Sequence, residues 1–181
     1  FSLKVLKMAN LKEIRNRISS VSSTMQITSA MKMVSAAKLK KAQDAITAMR
    51  PYSDKLTQML IDLSSSAEIE NEFLQPGNGN SLLVVCITSN RGLCGAFNSN
   101  VIKECLEIAK TSSLEVSFYC IGKKGADILS KTHNVIQTNN EIFDNLTFEN
   151  ISKIAEMLMS KYSDKEFNKI TIIYNKFKNA A

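Results

Sequence analysis

The segment NLKEIRNRISSVSSTM, residues 10–25, decides the fold of the first part of the chain. Its apolar residues recur at alternating spacings of three and four, the pattern of an apolar seam along one side of a coiled-coil helix. The Asn at its start and the Glu three positions later predict a helix N-terminus at Asn10, whose side chain would accept a hydrogen bond from a first-turn amide. The residues of this seam are Leu11, Ile14, Ile18, Val21 and Met25.

From Asn10 to about Ser64 the chain contains no glycine. We therefore predict one long N-terminal helix, roughly 80 Å in length at 1.5 Å per residue. Pro51 is expected to mark a bend or a break, because proline inside a helix removes a hydrogen bond and crowds the preceding turn. Beyond the middle of the helix the seam resumes at Ala42, Ala45, Met49, Tyr52 and Leu56.

The middle of the predicted helix has a different pattern. Thr28, Lys32 and Ser35 occupy positions where seam residues belong, and a second apolar stripe lies beside them. Two interpretations stay open: this stretch contacts two partners at once, or the seam simply drifts around the helix. The second stripe consists of Ile27, Met31, Val34 and Ala37.

Positive charge is concentrated in the N-terminal segment. Residues 1–66 hold 11 Lys and Arg against 4 Asp and Glu, a net charge of +7, whereas residues 67–181 hold 12 against 13, a net charge of −1. Such a segment suits an acidic partner, whether protein, nucleic acid or membrane surface. A DNA-reading basic region would concentrate its charges in one block, whereas here lysines border an apolar stripe, which argues against nucleic acid.

The rest of the chain alternates predicted strands and helices, which favours an α/β domain with a mostly parallel, Rossmann-like sheet. We place the long helix in residues 1–66, a Pro- and Gly-containing linker in residues 67–80 and the α/β domain in residues 81–181. The predicted strands are Leu82–Thr88, Val116–Ile121, Asn134–Thr138 and Ile170–Tyr174, and the predicted helices are Asn98–Thr111, Lys124–Lys131 and Thr147–Tyr162.

Two glycine-containing turns follow predicted strands. Ser89–Gly95, sequence SNRGLCG, lies where nucleotide-binding α/β folds hold phosphate, but it matches neither GxGxxG nor a P-loop. A tight turn between strand and helix explains it as well. The same two readings apply to Gly122–Gly125, sequence GKKG.

No catalytic, cofactor or metal site is predicted. His133 is the only histidine, and we expect a solvated turn residue because no nucleophile or orienting carboxylate accompanies it. The four cysteines form no CxxC pair; Cys86, Cys105 and Cys120 lie in apolar runs, where cysteine acts as a small hydrophobic residue. A reducing compartment is the simplest expectation.

Four stretches in matching order resemble the γ subunit of F-type ATP synthases. The most specific are the Met- and Ala-rich segment Met25–Lys38 and the loop Ser89–Gly95. Arg50-Pro51-Tyr52 and the closing Ile173–Asn179 also match. The resemblance extends from about Met8 to the end of the chain.

This resemblance implies a non-catalytic subunit, the rotating central shaft that couples proton flow to ATP synthesis, without a nucleotide site of its own. It implies contacts with the α and β subunits, the small ε subunit and the membrane c-ring, at the cytoplasmic face of a bacterial membrane or the matrix side of the mitochondrial inner membrane. Membrane association would occur only through those partners. The residues expected beside acidic loops of β are Thr28, Met31, Lys32, Met33 and Lys38.

The resemblance implies a second long helix after Ala181, which this sequence does not include, so the seam is unpaired within it. We expect the sequence to be a fragment; a truncated product or pairing with a second copy of the chain are the alternatives. Met8 is a plausible natural start, preceded by seven residues of no structural weight. The alternative hypothesis is a nucleotide-binding α/β domain with a helical dimerisation arm.

Overall fold

The structure is a computed structural model that describes residues 10–65, Phe73, Gly77 and residues 79–178. The expectations for residues 1–7 and for most of the linker at residues 67–80 lie outside the described residues. The chain divides into two units, Phe1–Ile69 and Glu70–Ala181.

The described residues of the first unit form a long helix, α1, which spans Leu11–Ser65, 55 residues. Its start is the predicted one, because the amide of Lys12 donates to Oδ1 of Asn10 at 3.3 Å. Of the bend or break predicted at Pro51, the break is absent, because Pro51 lies inside the continuous helix, and the bend stays a prediction. A single missing hydrogen bond is outweighed by those of the many residues on either side.

The second unit is built on four parallel strands in the order β3-β2-β1-β4. The strands are β1 (Ser81–Ile87), β2 (Glu115–Ile121), β3 (Val135–Asn139) and β4 (Lys169–Ile173), and the helices between them are α2 (Phe97–Thr111), α3 (Lys123–Leu129) and α4 (Phe148–Ser163). The α/β class and the parallel Rossmann-like sheet are therefore confirmed, and every element bound lies within two residues of the predicted one.

Side chains of β1 alternate between two apolar cores, one on each face of the sheet. Leu82, Val84 and Cys86 pack with residues of α2 and α3. Leu83 and Val85 face the other way, toward partly buried residues of α4. A strand buried on both faces explains the uninterrupted apolar run at the start of the domain.

The helix α4 begins at the predicted cap, where the amide of Asn150 donates to Oγ1 of Thr147 at 3.3 Å. Among the described residues, no helix is both long enough and apolar enough to span a membrane.

Candidate interaction surface and the glycine loops

The seam residues of α1 lie on the surface of the described structure. Leu11 is 74% exposed, Ile18 64%, and Met25 66%, and no residue of α1 is buried. Exposing this many apolar side chains to water is unfavourable by several kcal/mol. Such side chains are normally covered by a partner, since packing rather than propensity stabilises helices of this kind. The exposed seam therefore makes α1 the candidate interaction surface of the described structure.

Threonine at a seam position is explained by a local hydrogen bond. Oγ1 of Thr28 donates to the carbonyl of Thr24 at 2.8 Å, and Oγ1 of Thr24 donates to the carbonyl of Ser20 at 2.9 Å. With its hydroxyl satisfied by its own helix, each threonine presents a methyl group outward. Thr28 thus extends the apolar surface without an unpaired polar atom.

The drift of a heptad repeat can relate the two apolar stripes of α1. A heptad repeat on a straight α-helix rotates by about 20° per heptad, so the seam turns by roughly 150° along the 55 residues of α1. The stripe through Met31 and Val34 then lies on the same side of the helix as the later seam through Ala45 and Met49. This geometry favours the drifting seam over two unrelated stripes, and it still leaves two faces of the middle segment apolar.

The other residues expected to contact β share this middle segment. Met31 and Met33 are 65% and 66% exposed, and the side chains of Lys32 and Lys38 also lie on the surface. Lys32 borders the same shallow surface groove as Val21, Met25 and Thr28. Position on one helix brings these residues together, although Met33 points away from the seam that contains Lys32.

The loop Ser89–Gly95 is filled by a side chain from α2. Oδ1 of Asn98 accepts the amide of Ser89 at 2.9 Å, and Nδ2 of Asn98 donates to Oγ of Ser89 at 2.9 Å. The same Nδ2 lies 3.1 Å from Sγ of Cys94. Because Asn98 occupies the inside of the loop, the arrangement favours a tight turn over a phosphate cradle.

The amides at the start of α3 are also engaged. Lys123 donates to Oδ1 of Asn90 at 3.0 Å, Lys124 to the carbonyl of Ser89 at 3.2 Å, and Gly125 to Oγ1 of Thr88 at 2.8 Å. An anion at this helix start would need those same amides. The turn Gly122–Gly125, which connects β2 to α3, is therefore held by hydrogen bonds to the segment that follows β1.

At the crevice between β1 and β4, where the strand order reverses, parallel α/β sheets usually bind their ligands. Here Nδ2 of Asn175, just after β4, donates to the carbonyl of Phe97 at 2.7 Å and so bridges the crevice. In the loop before α2, Leu93 has a positive φ of 59° and a fully exposed side chain. An exposed leucine in this unusual backbone conformation is a candidate for contact with another molecule. The sequence analysis missed it, because no local sequence pattern predicts a positive φ at leucine.

His133 is not the solvated residue that the sequence predicts. It is half-buried, and its ring packs edge-on against Phe118 with centroids 5.4 Å apart. The correction follows from the fold, because the turn before β3 runs beside β2 and Phe118.

The three cysteines in apolar runs are buried and free, as predicted, while Cys94 is exposed. The hydrogen bond with Cys105, together with burial, raises the pKa of Cys86 from 9.0 to about 12. A hydrogen bond with Cys86 and burial raise the pKa of Cys120 as well. These thiols are protonated at neutral pH, which makes them poor nucleophiles.

Among the described residues no group of three or more His, Cys, Asp or Glu side chains suits a metal ion.

Comparison with known proteins assigns the family. A family model described as ATP synthase matches residues 10–181. The ATP synthase gamma chain of Flavobacterium psychrophilum is 61% identical over 177 residues, which cover 96% of this chain and 62% of that protein. The gamma chain of Cytophaga hutchinsonii is 43% identical over 183 residues, with the same coverage. The chain thus spans somewhat less than two thirds of the length of these relatives.

A solved structure shares the fold. The rotor of the Euglena gracilis mitochondrial ATP synthase aligns with a TM-score of 0.61 at 23% identity, covering 92% of this chain and 57% of that one. A long helix with an exposed apolar stripe and a parallel α/β domain define the class of α/β proteins that carry a long N-terminal helix. The chain belongs to the ATP synthase family, and its curated relatives there are gamma chains.

Proposed function

We propose that this chain acts as the gamma subunit of an F-type ATP synthase, the rotating central stalk that couples proton flow through the membrane ring to ATP synthesis at β. The observation that carries this proposal is the exposed apolar seam of α1 in a chain 61% identical to a gamma chain. A helix of 55 residues with no buried side chain needs partners along its length.

The proposed partners are the α and β subunits around α1, and the ε subunit and c-ring at the α/β domain. Thr28, Met31, Lys32, Met33 and Lys38 are proposed to contact acidic loops of β. Short apolar and small side chains slide past a partner without deep interdigitation. Exposed lysines add attraction worth only about 0–1 kcal/mol per pair, so the contact does not lock in one position.

In this proposal the chain has no catalytic site and supplies mechanical coupling only. Its place would be peripheral, on the cytoplasmic face of a bacterial membrane, held there by the c-ring and the other subunits. The hydrogen-bonded interiors of both glycine turns support a coupling role over the alternative of nucleotide binding.

Co-purification with α and β subunits tests the proposal. The expected result is a complex that hydrolyses ATP when this sequence is present in its gamma chain. Micromolar binding of ATP to the isolated chain, without association with α and β, would overturn the proposal in favour of a nucleotide-binding domain.

A further inference from the structure

The start of β1, where the chain enters the α/β domain, is hydrogen-bonded to Asn168, the residue just before β4. Asn168 uses both its backbone and its side chain on Ser81, the first residue of β1. The amide of Asn168 donates to the carbonyl of Ser81 at 3.0 Å, and Oδ1 of Asn168 accepts from Oγ of Ser81 at 2.8 Å. The amide of Ser81 points at the same Oδ1 from 3.4 Å.

Two glycines before β1 make room for this asparagine. A Cβ added at Gly77 would come within 2.6 Å of the carbonyl oxygen of Asn168, and one added at Gly79 would collide with the Asn168 side chain. Neither contact can be relieved by a small shift, because the first involves backbone and the second a side chain held by Ser81. The path of the chain into β1 therefore depends on glycine at both positions.

A third contact lies further from β1. The ring of Phe73 stacks on Tyr162 of α4, with centroids 5.9 Å apart and planes 30° from parallel. Phe73, Gly77, Tyr162 and Asn168 line one open groove of about 800 Å³. The residues that precede β1 thus contact two later elements of the same domain, α4 and the start of β4.

We propose that these contacts form a clasp, defined as Phe73, Gly77, Gly79, Tyr162 and Asn168. The clasp stiffens the start of the domain, so that torque that reaches the domain along the chain turns the whole sheet. Asn168 is the positioning residue of the clasp. This role rests on the rotor function proposed above. The clasp itself is a property of the domain and is tested separately.

Hydrogen exchange on this chain tests the clasp without reference to function. Asn168→Ala removes the acceptor for Ser81, and we expect the Ser81 amide to exchange at least tenfold faster. Asn168→Asp keeps an acceptor oxygen and should restore slow exchange even if the alanine variant is partly unfolded. A second variant, Phe73→Ala, removes the ring that stacks on Tyr162. Its matched control is Phe148→Ala, because Phe148 lies on the same helix as Tyr162 and is 89% exposed. Equal exchange at Ser81 in wild type and Asn168→Ala would overturn the clasp.

Coupling in the assembled ATP synthase tests its mechanical role. In inverted membrane vesicles we expect Asn168→Ala and Phe73→Ala to lower the ratio of ATP synthesis to ATP hydrolysis at least twofold, with Asn168→Asp and Phe148→Ala unchanged. If every variant showed the same coupling ratio as the wild type, only the mechanical role of the clasp would be overturned. A wild-type chain that supports no coupling would overturn the proposed function, and the exchange experiment would still decide whether the clasp exists.

Discussion

The amide of Gly125 donates to Oγ1 of Thr88 at 2.8 Å, joining the end of β1 to the first turn of α3 across 37 residues of sequence. Thr88 is 1% exposed and also donates to the carbonyl of Gly122. One hydroxyl thus satisfies a donor and an acceptor at the position where other α/β proteins place a phosphate.

Replacing Thr88 by valine should destabilise the domain. The shape is retained, but the Gly125 amide loses its acceptor while buried, which costs about 1–3 kcal/mol. Urea unfolding followed by circular dichroism measures the difference. Thr111→Val is the control, because Thr111 is exposed and its hydroxyl bonds only within its own helix; equal midpoints for the two variants would contradict the prediction.

Two glycines with positive φ should respond differently to alanine. At Gly122, with φ of 101°, a Cβ would collide with the carbonyl oxygen of Thr88, whereas at Gly95, with φ of 58°, it would meet nothing within 4 Å. Gly95→Ala should therefore cost only the left-handed conformation, about 1–2 kcal/mol. Gly122→Ala should cost considerably more or prevent folding. Thermal unfolding of both variants measures this, and a similar loss for both would contradict it.

The buried thiols should react only after unfolding. A thiol reagent at pH 8 is expected to modify Cys94 in the folded protein, and Cys86, Cys105 and Cys120 only in urea. Mass spectrometry of the digested protein identifies the modified residues. Rapid modification of Cys120 in the folded chain would contradict the burial described above.

The raised thiol pKa also predicts how stability changes with pH. Above pH 9 the Cys86 thiol ionises in the unfolded chain but remains protonated in the folded one until about pH 12. The unfolded state then binds fewer protons, so stability is complete below pH 9 and falls as pH rises toward 12. Urea midpoints at pH 8 and pH 10.5 measure the loss. It should be smaller in Cys86→Ala, and an equal loss would contradict this origin.

Charge reversal on α1 should weaken coupling. The double variant Lys32→Glu, Lys38→Glu turns two weak attractions toward acidic loops into repulsions. Because each contact contributes about 1 kcal/mol or less, we expect roughly a 10-fold loss of coupled ATP synthesis. ATP synthesis in energised membrane vesicles measures it. Lys103→Glu with Lys110→Glu, on the exposed side of α2, is the matched control. Unchanged synthesis in the α1 variant would show that these lysines do not contribute.

Much of the fold could be predicted because its signals are local. The cap at Asn10 and the cap at Thr147 each involve residues two or three apart, and both were recognised from residue type alone. The helix does not break at Pro51, because the local cost of proline says nothing about how strongly the residues on either side hold the helix. His133 was misjudged because its contact, Phe118, lies in a different strand.

The long helix, its apolar seam, the order of strands and helices, and the resemblance to the family can all be derived from the sequence. These features depend on periodicity and on hydrogen bonds between near neighbours, which a linear sequence displays directly. Only the tertiary structure decided how the glycine turns are filled and how Asn168 holds Ser81, 87 positions away. Such contacts arise because the parallel strand order brings distant chain segments to the same edge of the sheet, and no local pattern encodes that edge.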